Sequence, residues 1–387
     1  MMTVNQADAL GQLLCIELED DAWSASLERR LRSQRPGGVV FSLPRPPGVD
    51  DVAALLTRIT TTLGFVPFFA LEEDGGRQGL LRRLLPPLPS PCAAARAGVP
   101  AAGRLGDLVG AGMKLLGFNT NLAPVLDLLT PFSEAILGPR AFGVDAQKVT
   151  KCAQAFVRGL TTHRVLACGK HFPGLGGAQL TAGSTLPVVG KSMAELWRED
   201  LVSYRGLMGE LPFVLLSYCA YKAYDLDVLR PAAVSPSVVE GLLRAKLGYG
   251  GLAIADLRPP GGAGVSPACG VMAGSLALSP KSQQAGDTPA LLGADLCDAA
   301  SQPLVVGCDI LMTSAEAAEK VLAGLRKALE VGRLSPQRVG ESLERVRATR
   351  RRLARPRGRV STAAVDQLAK CFQRFSRECR TAEQKIA

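Results

Sequence analysis

Histidine is nearly missing from this 387-residue chain, occurring only at positions 163 and 171. The ten cysteines include no C-x-x-C pair. No zinc centre, other metal site or cofactor is therefore expected. Cysteines such as Cys168 in VLACGKHF and Cys308 in VVGCDILM lie in apolar runs, which fits free buried thiols. No apolar run approaches the roughly 18 residues of a membrane span, so no membrane association is expected. The N-terminal stretch MMTVNQADALGQLLCIELEDD lacks the basic start and apolar core of a secretory signal. A cytoplasmic location is expected on that basis.

What is present is globular: 47% hydrophobic and 21% charged residues. Of the net charge of +10, part comes from Arg345 to Arg359, which holds eight arginines. No aromatics interleave them and no nucleic-acid module surrounds them. They read as the cation-rich end of a helix, where the helix dipole favours positive charge, and no nucleic-acid partner is expected.

Short apolar runs alternate with amphipathic stretches. The expected strands are 37–42, 66–71, 119–129, 164–172, 212–218, 251–256 and 308–313. They are almost continuously hydrophobic, as in parallel strands buried on both faces. Between them, helices are signalled by a capping box at Ser192-Met-Ala-Glu195 ahead of a Trp197, Leu201, Tyr204, Met208 stripe. Ser-Pro openings at Ser235 and Ser335 signal two more. The β-then-α order predicts an α/β fold with a parallel sheet. Periodicity leaves a closed barrel and an open doubly wound sheet both open. Residues 257–303, rich in Gly, Ala, Pro and Ser, break the pattern, and a final helix carries Val365, Leu368, Phe372 and Phe375.

Polar residues gather where the apolar runs end. EEDGGR (72–77) follows VPFFAL, Asp127 follows LAPVL, Lys170-His171 ends VLACGKH, and Asp256 ends GLAIA. In a parallel α/β barrel the C-terminal strand ends share one mouth, where sites form.

In that order EEDGGR, GFNTNLAPVLDL, GPRAFG, KHFPGLGG, VSPSVVEGLLRAKLGYGGLAIAD and AGLRKALEVGRLSPQRVGESLERV resemble glycoside hydrolase family 3. The likeness spans roughly residues 8 to 355 and is greatest to the one-domain bacterial β-N-acetylglucosaminidases. It implies a single-domain (β/α)8 TIM-type barrel over 1–358, with 359–387 as a C-terminal helix and tail. It also implies a carbohydrate partner, a cell-wall-derived amino sugar or other β-glycoside, and retaining hydrolysis through a glycosyl-enzyme. By resemblance Asp256 is the nucleophile. Glu72, Arg140, Lys170 and His171 are then the sugar-binding residues. The sequence says nothing of oligomeric state.

The departures are chemical. The family's K-H-F-P-G is followed by H-G-D, whose histidine and aspartate supply the general acid/base. Leu175, Gly176 and Gly177 stand there instead. Leucine donates no proton and glycine orients no base. Thr181-Ala182-Gly183 replaces the family's D-S-H, Ser217-Tyr218 its A-H, and Leu257 the second aspartate of S-D-D. Glu72, Glu73, Asp74 and Tyr218 are the remaining stand-ins for an acid. Two outcomes follow: a weakened hydrolase that favours good leaving groups, or a non-catalytic sugar-binding pseudoenzyme. Reinstating the pair as L175H and G177D should raise turnover of natural substrates if the loop has the family shape.

Overall fold

The computed structural model describes residues 9–19, 22–43, 48–76, 79–179, 186–258, 299–353, 356 and 360–386. Most of 257–303 thus lies outside the described residues, as do Arg77, 181–183 and three of the eight arginines.

Eight parallel strands among the described residues close into a barrel. They are β1 (Leu14–Leu18), β2 (Gly38–Phe41), β3 (Phe68–Leu71), β4 (Thr120–Asn121), β5 (Leu166–Phe172), β6 (Phe213–Leu216), β7 (Leu252–Asp256) and β8 (Ile310–Ser314). Each pairs with its sequence neighbours, and β8 closes on β1 with Leu14 opposite Leu311. The closed barrel settles the choice that periodicity left open. Helices such as Val49–Leu63, Val99–Leu116 and Ala146–Thr162 connect the strands, and Ala318–Glu330 follows the last of them. They bury one apolar stripe each, for example Val149, Cys152, Phe156 and Leu160. Phe68 and Phe213, on β3 and β6, meet edge-to-face with centroids 5.1 Å apart. The eight described cysteines are free, most of them buried.

Four expectations are corrected. β1 was not among the expected strands. The strand expected over 119–129 is only Thr120–Asn121, because Pro124 has no N–H for a ladder. The chain rejoins β5 afterwards, with Leu126 N donating to Lys170 O at 2.7 Å. The continuous helix expected after Ser192 is broken into Met193–Arg198 and Leu201–Leu207. The break at Glu199-Asp200 turns Asp200 toward Lys191, whose Nζ lies 2.5 Å from Oδ2. The polar tail is helical instead: Thr362–Ile386 is one helix, with Phe372 and Phe375 buried where it packs on the barrel's helices Pro91–Ala97 and Val99–Leu116.

One helix pair is packed backbone to backbone. A Cβ on Gly106 of Val99–Leu116 would sit 2.2 Å from the Phe156 carbonyl of Ala146–Thr162. Only glycine permits that approach.

At the base of the barrel Asp309, fully buried just before β8, gathers three arginines. Arg244, Arg338 and Arg345 donate to it, with Ser342 Oγ at 2.8 Å and Ala253 N at 3.0 Å. One anion thus ties β7, β8 and two helices together. Among the described residues no helix is long and apolar enough to cross a membrane.

Candidate active site

Strand ends deliver the site residues. β3 ends at Leu71, so Glu72 is the first residue beyond it. Asn121 of β4 fixes the loop that follows: its side-chain oxygen accepts from Glu73 N and its amide donates to Glu73 O, both at 3.0 Å. The side chain acts there as a substitute peptide group. Lys170 and His171 lie within β5, and Asp256 is the last residue of β7.

Glu72, Asp74, Arg140 and Lys170 form one ion-pair cluster. Lys170 Nζ lies 2.8 Å from Glu72 Oε1 and 3.2 Å from Asp74 Oδ1. Arg140 Nε donates to Asp74 at 2.7 Å and its Nη2 to Glu72. Two cations balance two carboxylates, as buried charges require. Burial by itself would raise the Glu72 carboxyl, but the Lys170 and Arg140 charges outweigh it and hold it at about 2. Glu72 is therefore ionised and unsuited to give a proton. Arg140, expected to bind a sugar, is buried with Nε and Nη2 donating to Asp74 and Glu72, and so also holds these two carboxylates in place.

Glu73 differs from its neighbours. Burial pushes its carboxyl up to about 8, leaving it largely protonated near neutrality. Its Oε1, however, accepts from Leu81 N at 2.7 Å, so it serves the turn that follows.

His171 is fully buried and its Nδ1 lies 2.7 Å from Asp127 Oδ2. Asp127 also accepts from the backbone N–H of His171 (3.2 Å) and of Leu175 (2.8 Å). This fixes the ring and directs a proton to Nδ1. Among the described residues Nε2 has no hydrogen-bond partner. A buried polar atom left unpaired costs about 1–3 kcal/mol, which a ligand hydroxyl at that point would recover.

The loop that should carry the acid is built as a strut. Leu175 is 1% exposed and joins the core. Tyr221 OH donates to Gly174 O at 2.8 Å, and Thr130 Oγ1 to Gly176 O at 2.6 Å. Ala178–Gln179 then pairs with Val188–Val189 in a small three-stranded sheet. The missing side chains leave no empty space. A Cβ on Gly177 would meet the Lys191 stem at 2.9–3.1 Å, and Gly174, a glycine of the family motif too, is packed as closely, its Cβ position 2.6 Å from Asp200 Cβ.

Asp256 is not open either. Arg258, 1% exposed, grips it as a fork: Nε to Oδ1 at 2.9 Å and Nη2 to Oδ2 at 2.8 Å. The Arg258 backbone N–H adds a third bond to Oδ1 at 3.0 Å. Arg258 Nη1 reaches on to Glu17 Oε1 at 2.7 Å, and Ser42 Oγ donates to that same oxygen. Burial pushes the Glu17 carboxyl up, against the pull of Arg258 and Ser42. Arg258 is also felt electrostatically at Glu72, so the two groups of charges adjoin.

Glu17 and Arg258 were not singled out in the sequence. Two signals were available. Glu17 ends the apolar run LLCI, and Arg258 follows Asp256 at i+2, which on extended chain places both side chains on one side.

The chain matches the model of the glycosyl hydrolase family 3 N-terminal domain over residues 8–278. A β-hexosaminidase from Pseudomonas aeruginosa is 30% identical over 242 residues, 60% of this chain and 70% of that protein. One from Bordetella pertussis is 28% identical over 344 residues, 85% of both. Among solved structures, a family 3 β-N-acetylglucosaminidase from Paenibacillus sp. str. FPU-7 superposes with a TM-score of 0.78 at 23% identity, covering 97% of this chain and 69% of that one. A family 3 glycosyl hydrolase from Mycobacterium smegmatis superposes with a TM-score of 0.72 at 26% identity, over 89% and 96%. With its closed eight-stranded barrel and the family's motifs at the strand ends, the chain belongs to glycosyl hydrolase family 3.

Proposed function

We propose that this protein binds a β-linked N-acetylhexosamine at the barrel mouth and has lost efficient hydrolysis: a sugar-binding member of a hydrolase family. The observation that carries this reading is the contrast between two halves of the mouth. Lys170 and His171 stand where the family's sugar-binding pair would be by resemblance, and the buried His171 ring, held by Asp127, leaves Nε2 without a partner among the described residues. The reactive half is closed, with both oxygens of Asp256 bound by Arg258 and Leu175 packed into the core. The sugar class is the one the β-hexosaminidase relatives are named for.

A retaining mechanism needs a free carboxylate to attack the anomeric carbon. It also needs an acid about 5–5.5 Å away to protonate the departing oxygen. Asp256, the nucleophile by resemblance, ends β7 with each oxygen bonded to the Arg258 guanidinium. Of the stand-in acids, Glu72 is held ionised and Glu73 points at its own turn. Loss of the acid costs about 10²–10⁴-fold in that step. The slow-hydrolase reading keeps one support, the match of Ile254-Ala255-Asp256 to the family's nucleophile strand.

Calorimetric titration with N-acetylglucosamine tests the proposal. Wild type should give a saturable heat that Lys170→Ala abolishes by breaking the cluster around Glu72. Identical heats for the two proteins would refute sugar binding at this mouth.

A further inference from the structure

Asp256 is held more firmly than a nucleophile needs to be. Three N–H groups of a single residue, Arg258, point at its two oxygens. The same guanidinium is braced from behind by Glu17 at the end of β1, across β8 from β7. We propose that Arg258 sets the reactivity of Asp256, holding the carboxylate as a neutralised pair and so protecting a bound sugar from attack. This rests on the reading that the mouth still takes a sugar.

The chemistry follows from charge and lone pairs. Attack on the anomeric carbon draws electron density from an oxygen that already shares it with N–H donors, so each donor makes that oxygen a weaker nucleophile. The transition state gathers positive charge at the sugar ring, which a free carboxylate stabilises. Here the carboxylate's charge is offset by a fixed cation that repels that developing charge. Arg258 is 1% exposed, so solvent ions screen it little. A planar fork engages both oxygens at once, which the point charge of a lysine cannot do. Glu17 keeps the fork oriented: with Nη1 anchored, Nε and Nη2 face Asp256.

The test compares wild type, R258M and D256N/R258M on 4-nitrophenyl N-acetyl-β-glucosaminide. Methionine keeps the stem and removes the cation. In R258M, Asp256 attacks C1, the C1–O bond to the aryl group breaks, and its electron pair leaves on nitrophenolate. The Asp256 ester so formed is later hydrolysed by water. R258M should release nitrophenolate at least about tenfold faster than wild type. Its quenched mass should show an added sugar on the Asp256 peptide, and D256N/R258M should lose both effects. A merely structural ion pair would move neither readout. Folded R258M that works at the wild-type rate, or a double variant as fast as R258M, overturns the proposal. Should R258M not fold, Arg258→Lys decides: its ammonium reaches one oxygen, so release should still exceed wild type, and an unchanged rate overturns it. Calorimetry with N-acetylglucosamine on the same proteins separates the two readings. Absence of heat in all of them counts against sugar binding, while the nitrophenolate rates still decide the role of Arg258.

Discussion

Grafting the family's acid pair back as L175H and G177D is the perturbation on which sequence and structure disagree. From sequence alone it should restore turnover. The structure predicts damage. Leu175 is 1% exposed, so histidine there trades a packed leucine for a buried imidazole, which costs about 2–4 kcal/mol. A side chain at Gly177 collides with the Lys191 stem, since its Cβ would lie 2.9–3.1 Å from three stem carbons. The Lys191 stem must then shift, straining its pair with Asp200, whose carboxylate is 1% exposed and 2.5 Å from Nζ. Unpairing a buried carboxylate costs a further few kcal/mol, up to about 3–5 if Lys191 leaves altogether. The double variant should lose at least about 3 kcal/mol, a large share of a typical domain's 5–15 kcal/mol. In a thermal melt the midpoint should fall by about 5 °C or more. Chitobiose hydrolysis should not rise. A double variant that melts with wild type and cleaves the disaccharide would refute the reasoning, and with it the description of this loop as a strut.

Three further outcomes are expected. Asp309→Ala strands three arginines at the barrel base and should cost about 3–5 kcal/mol in urea unfolding; a loss below about 1 kcal/mol would mean the network is idle. Gly106→Ala should cost several kcal/mol by forcing two helices apart, and a melt unchanged from wild type would contradict the close approach. For Glu73 the folded carboxyl sits at about 8 against 4.5 for the free group, so between those values the folded state holds more protons than the unfolded one. Its contribution is therefore full below about 4.5 and is lost as pH rises through about 8. Glu73→Gln should abolish that loss, worth on the order of 2–4 kcal/mol, so a wild-type slope between pH 5 and 8 in the variant would reject the assignment.

The barrel was legible in the sequence because parallel strands buried on both faces leave continuous apolar runs. β1 escaped because LLCIEL is short and runs at once into acidic residues. β4 was overextended because the apolar character of LAPVLDLL comes from packing around Pro124, not from a ladder. The site was legible as strand-end polar residues, and Glu72, Lys170 and Asp256 do stand at or within strand ends. What no pattern gave was how they pair. In the sequence Arg140 reads equally well as a sugar donor or a counter-ion, and its pairing with Asp74 and Glu72 is visible only in the distances. Arg258 was hidden in LRPPGG, where proline and glycine mark a loop, and its partner Glu17 lies 241 residues away. The loss at Leu175 and Gly177 was plain in the sequence. That Lys191 crowds Gly177 was not, because it lies fourteen residues further along the chain.

The claim that this mouth holds a sugar without cutting it is tested most directly by incubating wild type with N,N′-diacetylchitobiose at a concentration that gives a binding heat. Free N-acetylglucosamine is then followed over many hours against Asp256→Ala. The account predicts a bound, intact disaccharide and release no faster than in the variant. Steady Asp256-dependent release of N-acetylglucosamine would contradict it.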